Sequence, residues 1–144
     1  MIRQATPRDA RDCAEIMRNW IEETDWFPAR NPKAEDTPFI LSKIDKGHVW
    51  VHTGQGGIVG FVALEEDFLS CLYVARPYRG QGVGARLLTR AKSLADHFTL
   101  WTFVANEPAR AFYLREGLVE TARTDGDNDE GLPDIEFTWN GAGP

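Results

Sequence analysis

The run Val74-Ala75-Arg76-Pro77-Tyr78-Arg79-Gly80-Gln81-Gly82-Val83-Gly84-Ala85-Arg86-Leu87-Leu88 ends the apolar stretch Phe68 to Val74, in which Ser70 is the one polar side chain, and leads into a helical apolar spacing. A strand must hand over to a helix across a loop with three glycines and two arginines. Glycine tolerates a left-handed backbone and lets the chain pass close to a ligand. The N–H groups of such a loop, together with the first turn of the helix behind it, converge where the helix dipole adds positive charge. The segment reads as a cradle for an anionic, phosphate-bearing ligand. A turn whose glycines only permit a tight bend is the alternative at this level.

Register narrows the choice. A P-loop requires Lys-Ser/Thr after its last glycine, and Ala85-Arg86 stands there. Gly80, Gly82 and Ala85 satisfy the bare dinucleotide pattern G-x-G-x-x-G/A. That fingerprint, however, closes the first strand of a βαβ unit and expects an acid about 20 residues on, where Thr99 and Leu100 lie.

With 144 residues, 42% of them apolar, the chain is expected to be one domain, 1–144, with one substantial core. A net charge of −6 disfavours nucleic acid or an anionic membrane as partner and mildly favours a cationic one. Cys13 and Cys71 form no CxxC and sit in apolar patterns, so buried free thiols are expected. No basic-then-apolar leader and no apolar run near 18 residues is present, which points to a cytoplasmic protein. His48, His52 and His97 lack ligand spacing, so no metal is expected. The acidic run Asp125 to Gly131 fails as a calcium loop because Glu130 stands where glycine is required.

Periodicity predicts a strand at Ile2–Ala5 and a helix capped by Thr6-Pro7-Arg8-Asp9, with Ala10, Cys13, Met17, Trp20 and Ile21 on one face. A long connection from Glu22 to Asp36 follows, then a short helix from Thr37-Pro38 to Ile44. A hairpin, His48–Thr53 with Ile58–Leu64, precedes the strand Phe68–Val74. The helix after the loop begins near Gly84, with Leu87, Leu88, Ala91, Leu94 and Ala95 on its inner face. Then come a strand to Val104, a helix from Asn106 to Gly117, and strands near Val119–Arg123 and Ile135–Trp139. The expected class is α/β: a mixed, mostly antiparallel sheet with helices on both faces.

Two blocks carry a family resemblance. Leu-Tyr-Val at 72–74, Pro77 and Arg79-Gly80-Gln81-Gly82-Val83-Gly84 resemble the acyl-CoA-binding motif R/Q-x-x-G-x-G/A of the GNAT superfamily of N-acetyltransferases. Asn106-Glu107-Pro108-Ala109-Arg110-Ala111-Phe112-Tyr113-Leu114-Arg115-Glu116-Gly117-Leu118 resembles that family's N-x-x-A-x-x-F-Y-x-x-x-G-F segment, with Leu118 in place of the commoner Phe. The resemblance implies the GNAT fold and transfer of an acetyl group from acetyl-CoA to a primary amine of a small molecule or peptide, by direct attack in a ternary complex. A catalytically weak CoA-binding sensor on the same fold is the second reading. A homodimer is compatible with either.

Residue by residue, the resemblance implies that the amides of Gly80, Gln81, Gly82, Val83, Gly84 and Ala85 hold the CoA pyrophosphate, with Arg79 adding charge. Leu72, Tyr73 and Val74 would pair with the pantetheine arm, and the Val74 N–H would polarise the thioester carbonyl. Asn106 would contact the arm or cap its helix. Tyr113 would donate to the CoA sulfur. The family's strand glutamate has no counterpart within Phe68–Val74, so Glu66 is the nearest candidate base beside Glu65 and Asp67, with a solvated turn acid as the alternative. Trp26 and Phe27, in the connection that covers the acceptor in relatives, are expected to line the acceptor pocket, although the tryptophans of a chain are more often core.

Overall fold

The computed structural model describes residues 1–29 and 31–141. Seven strands form one sheet: β1 (Ile2–Gln4), β2 (Val49–Gly54), β3 (Gly57–Glu65), β4 (Phe68–Val74), β5 (Phe98–Phe103), β6 (Val119–Thr124) and β7 (Asp134–Trp139), in the order β1-β2-β3-β4-β5-β7-β6. Every neighbouring pair is antiparallel except β4 and β5. Four helices, α1 (Ala10–Glu23), α2 (Asp36–Asp45), α3 (Val83–Leu94) and α4 (Glu107–Arg115), supply the covering layers.

The alternation of β-strand side chains divides the core in two. Val49, Val51, Phe61, Ala63 and Cys71 pack with α1 and α2 residues such as Cys13, Met17 and Ile40. Val59, Val62, Leu69, Leu100, Ile135 and Phe137 pack with Leu87, Leu88 and Ala91 of α3 and Tyr113 of α4. Both cysteines are buried free thiols, and burial pushes Cys71 up to about 11 and Cys13 up to about 12. Leu94, expected on the inner face of α3, is instead 46% exposed because the helix ends there and turns away from the sheet.

The decisive feature is where the sheet fails to close. β4 and β5 share one register pair, Phe68 with Thr99, where the Thr99 N–H donates to the Asp67 carbonyl at 2.9 Å. The β3–β4 register shifts at Ala63/Leu64 against Cys71/Leu69, which leaves Ser70 as the extra residue of a β-bulge. A bulge bends its strand and increases its twist. Placed immediately after the Phe68–Thr99 contact, it steers β4 away from β5 and opens a V between them.

Candidate active site

The V is a cleft with a volume of about 930 Å³, walled by β4 on one side and by Leu100 to Phe103 of β5 on the other. Its chemistry begins with unpaired backbone. The Ala75 N–H donates to the Val59 carbonyl at 2.8 Å, so Ala75, Tyr73 and Cys71 are the residues whose amides face β3. By the alternation of an antiparallel ladder, the N–H and C=O groups of Leu72 and Val74 face the V. An extended, amide-bearing ligand arm finds a ready strand edge there.

At the end of β4 the Gly loop takes the shape expected of it. Gly80 and Gly82 have φ of 76° and 84°, a conformation costly for any residue with a Cβ, and a Cβ on Gly82 would lie 2.9 Å from the Arg86 guanidinium. Gly82 caps α3, whose first intrahelical bond runs from the Arg86 N–H to the Gly82 carbonyl at 3.0 Å. The N–H groups of Val83, Gly84 and Ala85 are thereby left free for an anion at the positive end of the dipole. Gly84 serves a different purpose: a Cβ there would meet the Phe112 ring at 3.4 Å, so its smallness lets α3 approach α4. Gly80, Gly82, Gly84 and Ala85 line the cleft, whereas the Val83 side chain is buried in the core and Gln81 turns back to donate to the Pro77 carbonyl at 3.1 Å. These two residues can offer only main chain.

The arginines divide the work differently from the sequence expectation. Arg79 lines the cleft, but its Nε donates to the Val74 carbonyl at 2.9 Å and its terminal nitrogen pairs with Glu23 at 2.5 Å. It ties the strand edge to the end of α1, and its charge is largely answered within the chain. Arg86, which motif reasoning did not single out, stands behind the loop and donates from Nε to His52 Nε2 at 2.9 Å. That bond requires neutral His52 with its proton on Nδ1, which lies 3.2 Å from the Thr53 carbonyl. Burial, then the charges of the N-terminus and Arg86, keep the His52 pKa below its ordinary value, so Arg86 retains its full positive charge beside the cradle.

From α4, Asn106 and Tyr113 reach the cleft. Asn106 accepts from the Ala109 N–H at 3.2 Å and so caps α4, with its amide nitrogen left over for a ligand. Tyr113 is 8% exposed, and its hydroxyl makes no hydrogen bond among the described residues. Burial pushes its pKa upward, so the phenol stays a neutral donor at any ordinary pH.

The opposite mouth, on the α1–α2 side, is aromatic. Trp20 packs against Phe27 at 5.3 Å and Tyr73 at 5.9 Å, and Phe27 packs against Phe103 at 5.6 Å. Phe27 lines the cleft. Trp26 does not; it stacks edge-on against Phe103 at 5.7 Å and supports the ring from outside. Trp20 and Phe103 belong to the collar and were not expected there, since a Trp on the apolar face of a helix reads as core.

Glu66 is not brought to the site. It occupies the turn between β3 and β4 with φ of 58°, is exposed, and lies beyond the closed end of the V. Its neighbour Glu65 is held by the Lys43 ammonium at 2.7 Å, which, with Ser70 nearby, keeps the carboxyl below its usual range. The strand has no acid at the family's position because the turn ends before the cleft begins. Among the described residues no group of three or more His, Cys, Asp or Glu side chains is placed to hold a metal, and no helix is long and apolar enough to cross a membrane.

The comparisons agree with this geometry. A family model described as Acetyltransferase (GNAT) domain matches residues 45–120, from the end of α2 to the start of β6. The chain is similar to the peptidyl-lysine N-acetyltransferase YjaB of Salmonella typhimurium, 29% identical over 128 residues and 88% of each chain. It is also similar to the peptidyl-lysine N-acetyltransferase YiaC of Escherichia coli, 27% identical over 146 residues and 96% of each. In fold it matches yncA, a putative acetyltransferase from Salmonella typhimurium solved with acetyl-CoA, with a TM-score of 0.78 and 17% identity over 100% of this chain and 96% of that one. The chain belongs to the GNAT acetyltransferases and is an acetyl-CoA-dependent N-acetyltransferase.

Proposed function

We propose that the enzyme acetylates the ε-amine of lysine side chains in peptides or proteins, by direct attack in a ternary complex within the V. The observation that carries this reading is the two-sided cleft. An anion cradle and strand edge lie at one end, and the aromatic collar of Trp20, Phe27, Tyr73 and Phe103 lies on the opposite face. A lysine side chain has a long apolar stem and a cationic tip, which suits passage between aromatic rings. The peptidyl-lysine activity for which YjaB and YiaC are named supports the same acceptor class.

In this reading the amides of Gly80 to Ala85 hold the CoA pyrophosphate, with the helix dipole and Arg86 supplying positive potential. Leu72 and Val74 pair with the pantetheine arm. The Val74 N–H donates to the thioester oxygen, where negative charge develops as nitrogen attacks, so its contribution is larger in the transition state than in the ground state. Arg79 holds the Val74 carbonyl and thereby fixes the peptide plane that follows Val74, at the end of the strand edge. Tyr113 donates to the departing sulfur. Full proton transfer from a buried phenol to a thiolate is uphill, so the hydroxyl acts through a hydrogen bond that strengthens as charge builds on sulfur.

The test is thiol release from acetyl-CoA against a panel of matched peptides offering an internal lysine, a free α-amine, or both blocked. Lysine peptides are expected to turn over with kcat/KM at least about tenfold above α-amine peptides. Equal rates, or a preference for the α-amine, would refute the lysine assignment.

A further inference from the structure

Glu130, from the segment between β6 and β7, is the only carboxylate among the described residues that lines the cleft. It also lines a smaller adjoining cavity of about 220 Å³ with Ser70, Trp101, Phe103 and Asp134. The other acids nearby have partners. Glu23 faces Arg79 and Arg76, Glu65 faces Lys43, and Asp134 accepts from the Thr124 hydroxyl. No ion pair or hydrogen bond engages Glu130 among the described residues.

The residues that share its cavity put this acid on the side of the aromatic collar. Trp101 and Phe103 of β5 share a face, and Asp134 is in register with Phe103 and lies beside it. Phe103 packs on Phe27 of the collar. The Ser70 hydroxyl at the bulge is buried and has no aligned hydrogen-bond partner among the described residues, which leaves a second polar group at the same end. The charged groups that line the same two cavities are Asp134 from β7, Arg115 from α4, and Arg79, which is paired with Glu23.

We infer that Glu130 is a catalytic residue: it receives the ammonium of the acceptor and accepts the proton that must leave before nitrogen can attack. This rests on the reading that the amine enters through the aromatic mouth. An alkylammonium has no lone pair. One N–H proton passes to the Glu130 carboxylate and from there to water, which the half-buried side chain can reach. Nitrogen then bonds to the thioester carbon, the C–S bond breaks with its electron pair going to sulfur, and a second proton leaves nitrogen. The CoA sulfur takes up one proton, so each turnover yields acetyl-amide, free thiol and one proton released. Glu130 takes over the task for which sequence reasoning nominated Glu66, from the far side of the sheet.

Glu130→Gln, Glu130→Asp and Asp127→Asn are compared with wild type on whichever amine of the panel wild type uses best, from about pH 6 to about pH 10. Near pH 7 the kcat/KM of Glu130→Gln should fall about 10²-fold with CoA affinity unchanged, and the loss should shrink to less than about tenfold near pH 10, where a substantial fraction of the amine is already neutral. Glu130→Asp should recover part of the loss, and Asp127→Asn, which removes the same charge from the same loop, should stay within about twofold of wild type. A Glu130→Gln enzyme within about twofold of wild type, a loss that does not vary with pH, or an equal loss in Asp127→Asn overturns the inference. If an α-amine is the preferred acceptor, the lysine assignment falls while the comparison on that amine still decides Glu130.

Discussion

Tyr113 illustrates how far a single side chain can be read. Its place on α4 follows from Asn106 and Pro108 at the start of the helix, and its burial beside Phe112 and Phe137 follows from the helix period. Tyr113→Phe keeps the ring contacts and removes only the hydroxyl, so the protein should fold normally with CoA affinity within about twofold of wild type. Its kcat should fall about 10- to 100-fold, the worth of one hydrogen bond to a developing charge. Steady-state kinetics with CoA titration checks both, and an unchanged kcat removes the donor role. Glu66 shows the opposite case. Counting along the chain placed it near the site, but the turn that carries it lies at the closed end of the V, and no local pattern reveals which end of a strand opens.

At the scale of elements, α1, α2 and the connection between them shape the aromatic mouth of the cleft. Arg18 of α1 makes a bidentate, buried pair with Asp36 at the start of α2, at 2.6 and 2.8 Å, and donates to the Asn31 carbonyl at 3.2 Å. This one side chain closes the connection that carries Trp26 and Phe27. Arg18→Ala leaves a carboxylate buried without its partner, which costs about 3–5 kcal/mol. The variant should melt well below wild type, and at a temperature where it is folded its acceptor KM should rise more than its acetyl-CoA KM. A rise confined to acetyl-CoA would disconnect the pair from the acceptor side. The tail of the connection was legible as irregular from its prolines and charges, but the pairing of Arg18 with Asp36 was not, because nothing in either residue's neighbourhood marks the other.

Across the whole molecule, the sheet consists of two halves, β1 to β4 and β5 with β7 and β6, joined at a single register pair. CoA bound in the V bridges them, so its binding energy adds to the stability of the sheet. At about 100 times its Kd, CoA should stabilise the fold by about 2.7 kcal/mol. Hydrogen exchange should show the Leu72 and Val74 amides poorly protected in the free protein and slowed by CoA, while the Tyr73 amide, which faces β3, changes much less. Equal protection of all three in the free protein would mean that the V is closed in solution. The family model stops at residue 120, short of Glu130, and begins after Trp20 and Phe27. The cradle thus lies wholly within that stretch, while the aromatic collar draws Tyr73 and Phe103 from within it and Trp20 and Phe27 from before it.

What the chain determined by itself is the local machinery: glycines at positive φ, a helix N-terminus with free amides, a capped α4 carrying Tyr113, and the order of strands and helices. Each depends on residues within about one helical turn or one hairpin of one another, so composition and spacing express it directly. What only the tertiary structure decided is everything created by the failure of β4 to pair with β5. The amides of Leu72 and Val74 left unpaired beside β5, the collar of Trp20, Phe27, Tyr73 and Phe103, and the placing of Glu130 beside Trp101 and Phe103 all depend on contacts between elements that are distant in the chain. Those meetings are set by long-range register and by packing on both faces of the sheet, for which no short stretch of sequence carries a signal.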